Sequence, residues 1–207
     1  RIMAVLASTG YGEITLSSLS VGDYRDLVPL LNEVLPWLTE RGISVSLPSL
    51  RVDRTTLPVI ERLSEVRKTS LTFAVESASE NIRKISGKDI DIPELLEIVT
   101  HVTQRGWKVI KLYFMIGLPG CEQEDEAESM VALLRDIVAA AGRGREINVT
   151  VSPFIPKPHT PFERERQMPG DYFRSVVRKL KDGSPRRVKI KNHDLNASIL
   201  EGVLARG

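Results

Sequence analysis

A chain of 207 residues that is 42% hydrophobic and 27% charged has the make-up of a soluble globular protein, which excludes the disordered and fibrous classes. Twenty-nine Lys and Arg against 27 Asp and Glu leave a net charge of +2, too near balance to argue for nucleic acid on charge alone. The single cysteine, Cys121, excludes an intramolecular disulfide, a Cys-rich zinc site and a self-sufficient iron–sulfur cluster.

The apolar pattern alternates between helical and strand periods. Arg1–Ser8 reads as a helix with no cap in front of it, which leads to the expectation that the chain was cut from something longer. Thr9-Gly10-Tyr11-Gly12 stops that helix, and Glu13–Ser17 reads as a strand. Asp23 is positioned to cap a helix whose Leu27, Leu30, Leu31, Val34, Leu35 and Leu38 share a face, and Gly42 ends it. Ile43–Leu47 follows as a strand, Leu57–Val66 as a short helix, and Ser70–Val75 as a strand. Ser79–Ile85 and Pro93–Gln104 read as helices, with Pro93 suited to a helix start and Gly106 to an end. Trp107–Ile116 is an almost wholly apolar strand, predicted to be covered on both faces. Glu122–Ala141 is a long helix with acids in its first turns, favourable to the helix dipole. Glu146–Ser152 is a fifth strand, followed by the Pro-rich loop Pro153–Pro161. A helix at Gly170–Lys181, a basic strand at Arg187–Lys191 and a helix at Ala197–Ala205 complete the chain. No run approaches the roughly 18–20 apolar residues of a membrane helix, and no signal or transit peptide is visible, so the expected location is cytoplasmic.

Five strand-like runs, each followed by helix, make a repeated βα unit whose right-handed crossovers give a parallel sheet. Five units are fewer than the eight of a closed barrel. The predicted fold is therefore α/β, a partial (β/α) TIM-like barrel missing its first strand. Residues 1–162 form the barrel part, and residues 163–207 form a C-terminal α/β extension of the same domain.

In such folds chemistry gathers outside the carboxyl ends of the strands. Those ends carry Ser17 and Ser18; Ser49, Arg51 and Asp53; Glu76 and Ser77; Gly117-Leu118-Pro119-Gly120; and Ser152, with Lys157, His159 and Thr160 beyond. Glu76 follows a buried strand directly, and a carboxylate there suits a ligand ammonium or ribose hydroxyls. Its bland alternatives are a helix N-cap or an internal salt bridge with Arg51. Gly117-Leu118-Pro119-Gly120 either lets a planar ring lie against backbone or is simply a tight turn. His159 has no visible partner to orient it, and His101 and His193 read as structural or solvated. The three histidines share no ligand spacing, so no metal residues are assigned and none of the candidates is given a catalytic role. The basic run Arg178, Lys179, Lys181, Arg186, Arg187, Lys189 and Lys191 either touches phosphates of an RNA or nucleotide or is a solvated face.

Four stretches together carry a resemblance. Gly10–Tyr24 resembles the second strand region of a radical S-adenosylmethionine (SAM) enzyme. Leu71–Ser77 with Glu80-Asn81-Ile82-Arg83-Lys84 resembles its fourth strand and following helix. Lys111–Gly120 resembles its fifth, and Val151–Phe162, with its Ser-Pro, Pro and Thr-Pro spacing, resembles its sixth as found in the methylthiotransferase and elongator-like branches. With the ending Asn192-His193-Asp194 and Leu200–Gly207, the chain is similar to radical SAM iron–sulfur oxidoreductases that often carry a cobalamin-binding-like domain upstream.

The resemblance implies SAM as cofactor, a [4Fe–4S] cluster in the parent protein only, and cobalamin as a further option there. It places Ser17 and Ser18 near the methionine group, Ser49, Arg51 and Glu76 near the ribose or carboxylate, and Gly117, Leu118 and Pro119 against adenine. Ser77 and Ser152 join this cofactor-binding set, and Lys157 and His159 face the substrate mouth. It further implies an unknown substrate, a reductant such as flavodoxin or ferredoxin, and a 5′-deoxyadenosyl radical that abstracts hydrogen. The family's CxxxCxxC loop has no counterpart in this sequence, so this stretch alone is expected to be inactive. Two alternatives are an RNA- or partner-binding module using the basic run, and a TIM-barrel lyase fragment, for which Lys108 and Lys111 are the strand lysines.

Overall fold

We describe the fold from a computed structural model, which describes residues 1–18, 21, 24–47, 57–63, 70–88 and 90–206. Strands and helices alternate along it: α1 (Ile2–Thr9), β1 (Glu13–Thr15), α2 (Leu27–Glu40), β2 (Ser44–Ser46), α3 (Leu57–Leu63), β3 (Ser70–Glu76), α4 (Glu80–Ile85), α5 (Ile92–Gln104), β4 (Val109–Ile116), α6 (Glu126–Ala141), β5 (Glu146–Pro153), α7 (Gly170–Gly183), β6 (Val188–Asn192) and α8 (Leu195–Leu204). The class is α/β with parallel-strand sheets, as the repeated βα units predict. β1 and β2 pair in parallel with Ile14 opposite Val45. β3, β4, β5 and β6 form a four-stranded sheet in that order, and β5 and β6 are parallel with Val149 opposite Ile190. Among the described residues no helix is long and apolar enough to cross a membrane.

The chain divides into two compact units, residues 1–74, 91–111 and 140–146 in one and 75–90, 112–139 and 147–207 in the other. In the first, Leu31, Leu38, Ile60, Leu95 and Val99 are fully buried; Leu31 and Leu38 on α2 and Leu95 and Val99 on α5 repeat at the seven- and four-residue spacings of one helix face, and Ile60 comes from α3. Asp91 starts α5 by accepting the N–H of Glu94 at 3.0 Å, which satisfies one of the free donors of the first turn. In the second unit, Phe114, Leu134, Ile137, Val151, Phe173 and Leu180 are sealed from water. There Asp194 caps α8, its carboxylate accepting the N–H of Ala197 at 2.9 Å.

Two local expectations are corrected. The long helix begins at Glu126 rather than Glu122, because Cys121–Gln123 forms a 3₁₀ turn first; Asp125 then accepts the N–H of Glu128 at 3.1 Å as a cap. β4 is not covered on both faces. Ile110, Leu112, Phe114 and Ile116 are buried, while Lys111 and Tyr113 between them are exposed. The same alternation runs along β3 and β5, so this sheet has one apolar face and one that remains partly open. Asp23, the expected cap of α2, lies outside the described residues, and the helix begins at Leu27 behind Asp26 without a side-chain cap.

Candidate functional site

The ends of β3, β4 and β5 fall in the second unit and there converge on one cavity of about 330 Å³. Met115, Leu118, Phe154 and Phe162 make its walls apolar, and Glu76 and Lys88 bring opposite charges to its edge. Phe154 and Phe162 meet edge to face, with ring centroids 5.9 Å apart, an arrangement that adds to the gain from burial.

Glu76 is the last residue of β3 and has a positive φ of 66°. That conformation disfavours any residue with a Cβ, typically by about 1–2 kcal/mol, so the surrounding chain must hold it. Arg83 anchors the two residues that follow Glu76. Its guanidinium, buried among carbonyls, donates to Ser77 O at 3.0 Å, Ala78 O at 2.8 Å and Ile90 O at 3.1 Å. The Glu76 carboxylate stays about one quarter exposed and lies 3.4 Å from the Lys88 ammonium. The cap of α4 is Ser79, whose Oγ accepts the N–H of Ile82 at 3.3 Å, so Glu76 is not used as a cap. Ser77 is buried, and its hydroxyl accepts the N–H of Ser79 at 3.2 Å.

The turn after β4 is fixed by two glycines with φ of 76° at Gly117 and 94° at Gly120. A Cβ on Gly117 would stand 2.7 Å from Cε1 of Phe173 and 3.1 Å from Cγ of Met168, so the turn needs glycine for conformation and for space. Its peptide N–H donates to both oxygens of Glu126, at 3.0 and 3.2 Å. The Tyr172 hydroxyl donates to the same carboxylate at 2.9 Å. Glu126 is 5% exposed, and burial pushes its carboxyl up to about 7, past the lowering effect of the Gly117 and Tyr172 bonds. Beside it, burial pushes the Cys121 thiol up to about 11, and Tyr172 is also raised, first by burial.

The predicted residues separate as follows. Glu76, Leu118 and Lys157 border the cavity, with Gly117 and Pro119 in the turn that carries Leu118. Lys157 pairs with Glu201. Ser152 lies on β5, its hydroxyl 3.5 Å from the ring nitrogens of His193. His159 is exposed outside the cavity lining, with a φ of 61° and its N–H donating to Glu163 at 3.0 Å. Ser17 and Ser18 follow β1 and are exposed in the first unit. Ser49, Arg51 and Asp53 lie outside the described residues. Glu126, Arg83 and Lys88 were not singled out by sequence; nothing in the acid-rich stretch Glu122–Glu128 distinguishes Glu126 from its neighbours.

Residues 1–134 match the model of the radical SAM superfamily. The chain belongs to that superfamily. It is also 30% identical over 200 residues to uncharacterized protein MJ0966 of Methanocaldococcus jannaschii, covering 94% of this chain and 41% of that relative. The chain thus spans less than half the length of the relative it matches. Radical SAM enzymes as a family use SAM and a [4Fe–4S] cluster. This chain's one cysteine is buried and held protonated by burial, while a cluster of the family's kind takes three thiolates. Among the described residues no group of His, Cys, Asp and Glu could hold a metal ion. The residues present therefore do not fit the cluster. They do fit the organic cofactor, with an apolar cavity of the size that ligand sites have and a carboxylate at its edge.

Proposed function

We propose that this radical SAM chain supplies the SAM-binding strand ends of an enzyme whose substrate is not yet known. The reading is carried by Glu76, a carboxylate held in a strained conformation at the edge of a mostly apolar cavity at three strand ends, with Lys88 and Lys157 as the other charges on its border. Met115, Leu118 and Phe154 offer apolar surface to a planar base. Glu76 offers hydrogen-bond acceptors to ribose hydroxyls or an ammonium, and such charge-assisted bonds are strong where water is scarce. Lys88, 3.4 Å away, pairs with that carboxylate and is close enough to meet a ligand carboxylate. The N–H of Gly117 is already taken by Glu126, so this residue fixes the turn rather than serving as a donor. Bound SAM supplies a sulfonium whose one-electron cleavage is the family's chemistry. Excluding water from that sulfonium would fall to the Phe154–Phe162 pair.

Calorimetric titration of the chain with SAM tests this. Saturable binding is expected, weakened by about 1–3 kcal/mol in Glu76→Ala, the scale of a lost hydrogen bond to a charged group. No saturable binding, or equal affinity in the variant, contradicts the proposal.

A further inference from the structure

The open face of the sheet continues beyond the cavity. Tyr113 lies two residues before Met115 on β4, hence on the same face and about 7 Å along the strand. Thr150 stands in the same relation to Ser152 on β5, and the parallel register sets Lys191 of β6 opposite Thr150. Tyr113, Thr150, Lys191, His193, Asp194 and Glu201 border a second, open cleft of about 530 Å³.

The charges in this cleft are unevenly engaged. Each acid has a partner: Asp194 gives one carboxylate oxygen to the cap of α8, and Glu201 is paired with Lys157. The bases are less engaged. Lys191 is exposed and forms no ion pair among the described residues. Among the described residues the His193 ring has only the long 3.5 Å approach to the Ser152 hydroxyl. Tyr113 is 43% exposed, and it and Thr150 add hydroxyls that no described side chain takes. A concave surface that brings together a lysine with no ion pair among the described residues, an imidazole and two hydroxyls, with one carboxylate paired to Lys157 and the other engaged by one oxygen in a helix cap, can take an anion. Its volume suits a small molecule.

We propose that this cleft binds a small anionic substrate, its phosphate or carboxylate on Lys191 and His193 and its polar remainder on Tyr113 and Thr150. That the bound molecule is the substrate rests on the SAM reading of the neighbouring cavity; the anion site does not. Lys157 borders the cavity and Glu201 the cleft, so their ion pair stands between the two spaces.

The test is an amide NMR titration of the 207-residue chain with inorganic phosphate, and separately with citrate, at an ionic strength held constant with sodium chloride. Saturable shifts are expected at the amides of Thr150 and residues 191–198 with at least one probe, and the probe that binds identifies the anion. Lys191→Gln should weaken that binding about tenfold, the scale of one charged hydrogen bond. His193→Gln, whose fold is checked by the same spectra, should also weaken it, and Glu76→Ala should leave it unchanged. Shifts that follow ionic strength alone, or an unchanged affinity in both cleft variants, overturn the proposal. So does SAM displacing the probe from residues 191–198. Anion binding that persists where SAM fails to bind overturns the cofactor reading and leaves the anion site standing.

Discussion

Replacing Glu126 by Gln tests the electrostatics of the turn that shapes the cavity. In the folded chain the carboxylate accepts two contacts from Gly117 N–H and one from Tyr172 O–H, all favouring ionisation, yet burial is the larger effect and the carboxyl rises from 4.5 to about 7. A carboxyl raised on folding contributes stability that is fully present below its unfolded value and is lost as pH rises through its folded value. At about 1.4 kcal/mol per pH unit, the displacement corresponds to about 3 kcal/mol. Gln keeps the shape and does not titrate. Urea unfolding curves measured between pH 4.5 and 8 should therefore show the wild type losing about 3 kcal/mol relative to Glu126→Gln, with most of the loss complete near pH 7 and little change above it. A constant gap would refute the burial argument. A wild type that gains on the variant as pH rises would show that the three hydrogen bonds outweigh desolvation.

Two further outcomes follow from the same cluster. Gly117→Ala places a Cβ at positive φ and 2.7 Å from the fully buried Phe173 ring; the conformational and overpacking costs add to about 2–5 kcal/mol, read as a lower urea midpoint with an unchanged slope. Cys121, 1% exposed with its thiol pushed up to about 11, should react with iodoacetamide at pH 8 at least roughly 100-fold more slowly in the native chain than in denaturant; equal rates would contradict its burial.

Much of the fold was legible because its signals are local. Glu146–Ser152 alternates apolar and polar residues, Ser70–Phe73 does the same before the apolar pair Ala74-Val75, and both runs form strands within one residue of the expected bounds. Asp91 and Pro93 mark the start of α5 as their chemistry requires. What was misread depended on tertiary context. The composition of β4 is apolar enough to suggest cover on both faces, but Lys111 and Tyr113 sit at alternate positions and belong to the open one. The start of α6 shifted because Gly120 leads into a 3₁₀ turn before Asp125 can cap the helix. At the site, Glu76 was legible as a charge at the point where a buried strand surfaces. Glu126 was not, since its role depends on burial against Gly117 and Tyr172, partners 9 and 46 residues away in sequence. Arg83 was hidden for the same reason: its partners are backbone carbonyls, which no side-chain pattern records.

The central claim is that SAM occupies the cavity bordered by Glu76, Leu118 and Phe154. Ultraviolet cross-linking of methyl-tritiated SAM to the chain, followed by peptide mapping, addresses it most directly. The account predicts label on peptides containing Met115–Leu118 or Phe154–Phe162, removed by excess unlabelled SAM and reduced in Glu76→Ala. Competable label confined to other peptides, or label that excess SAM does not remove, would contradict it.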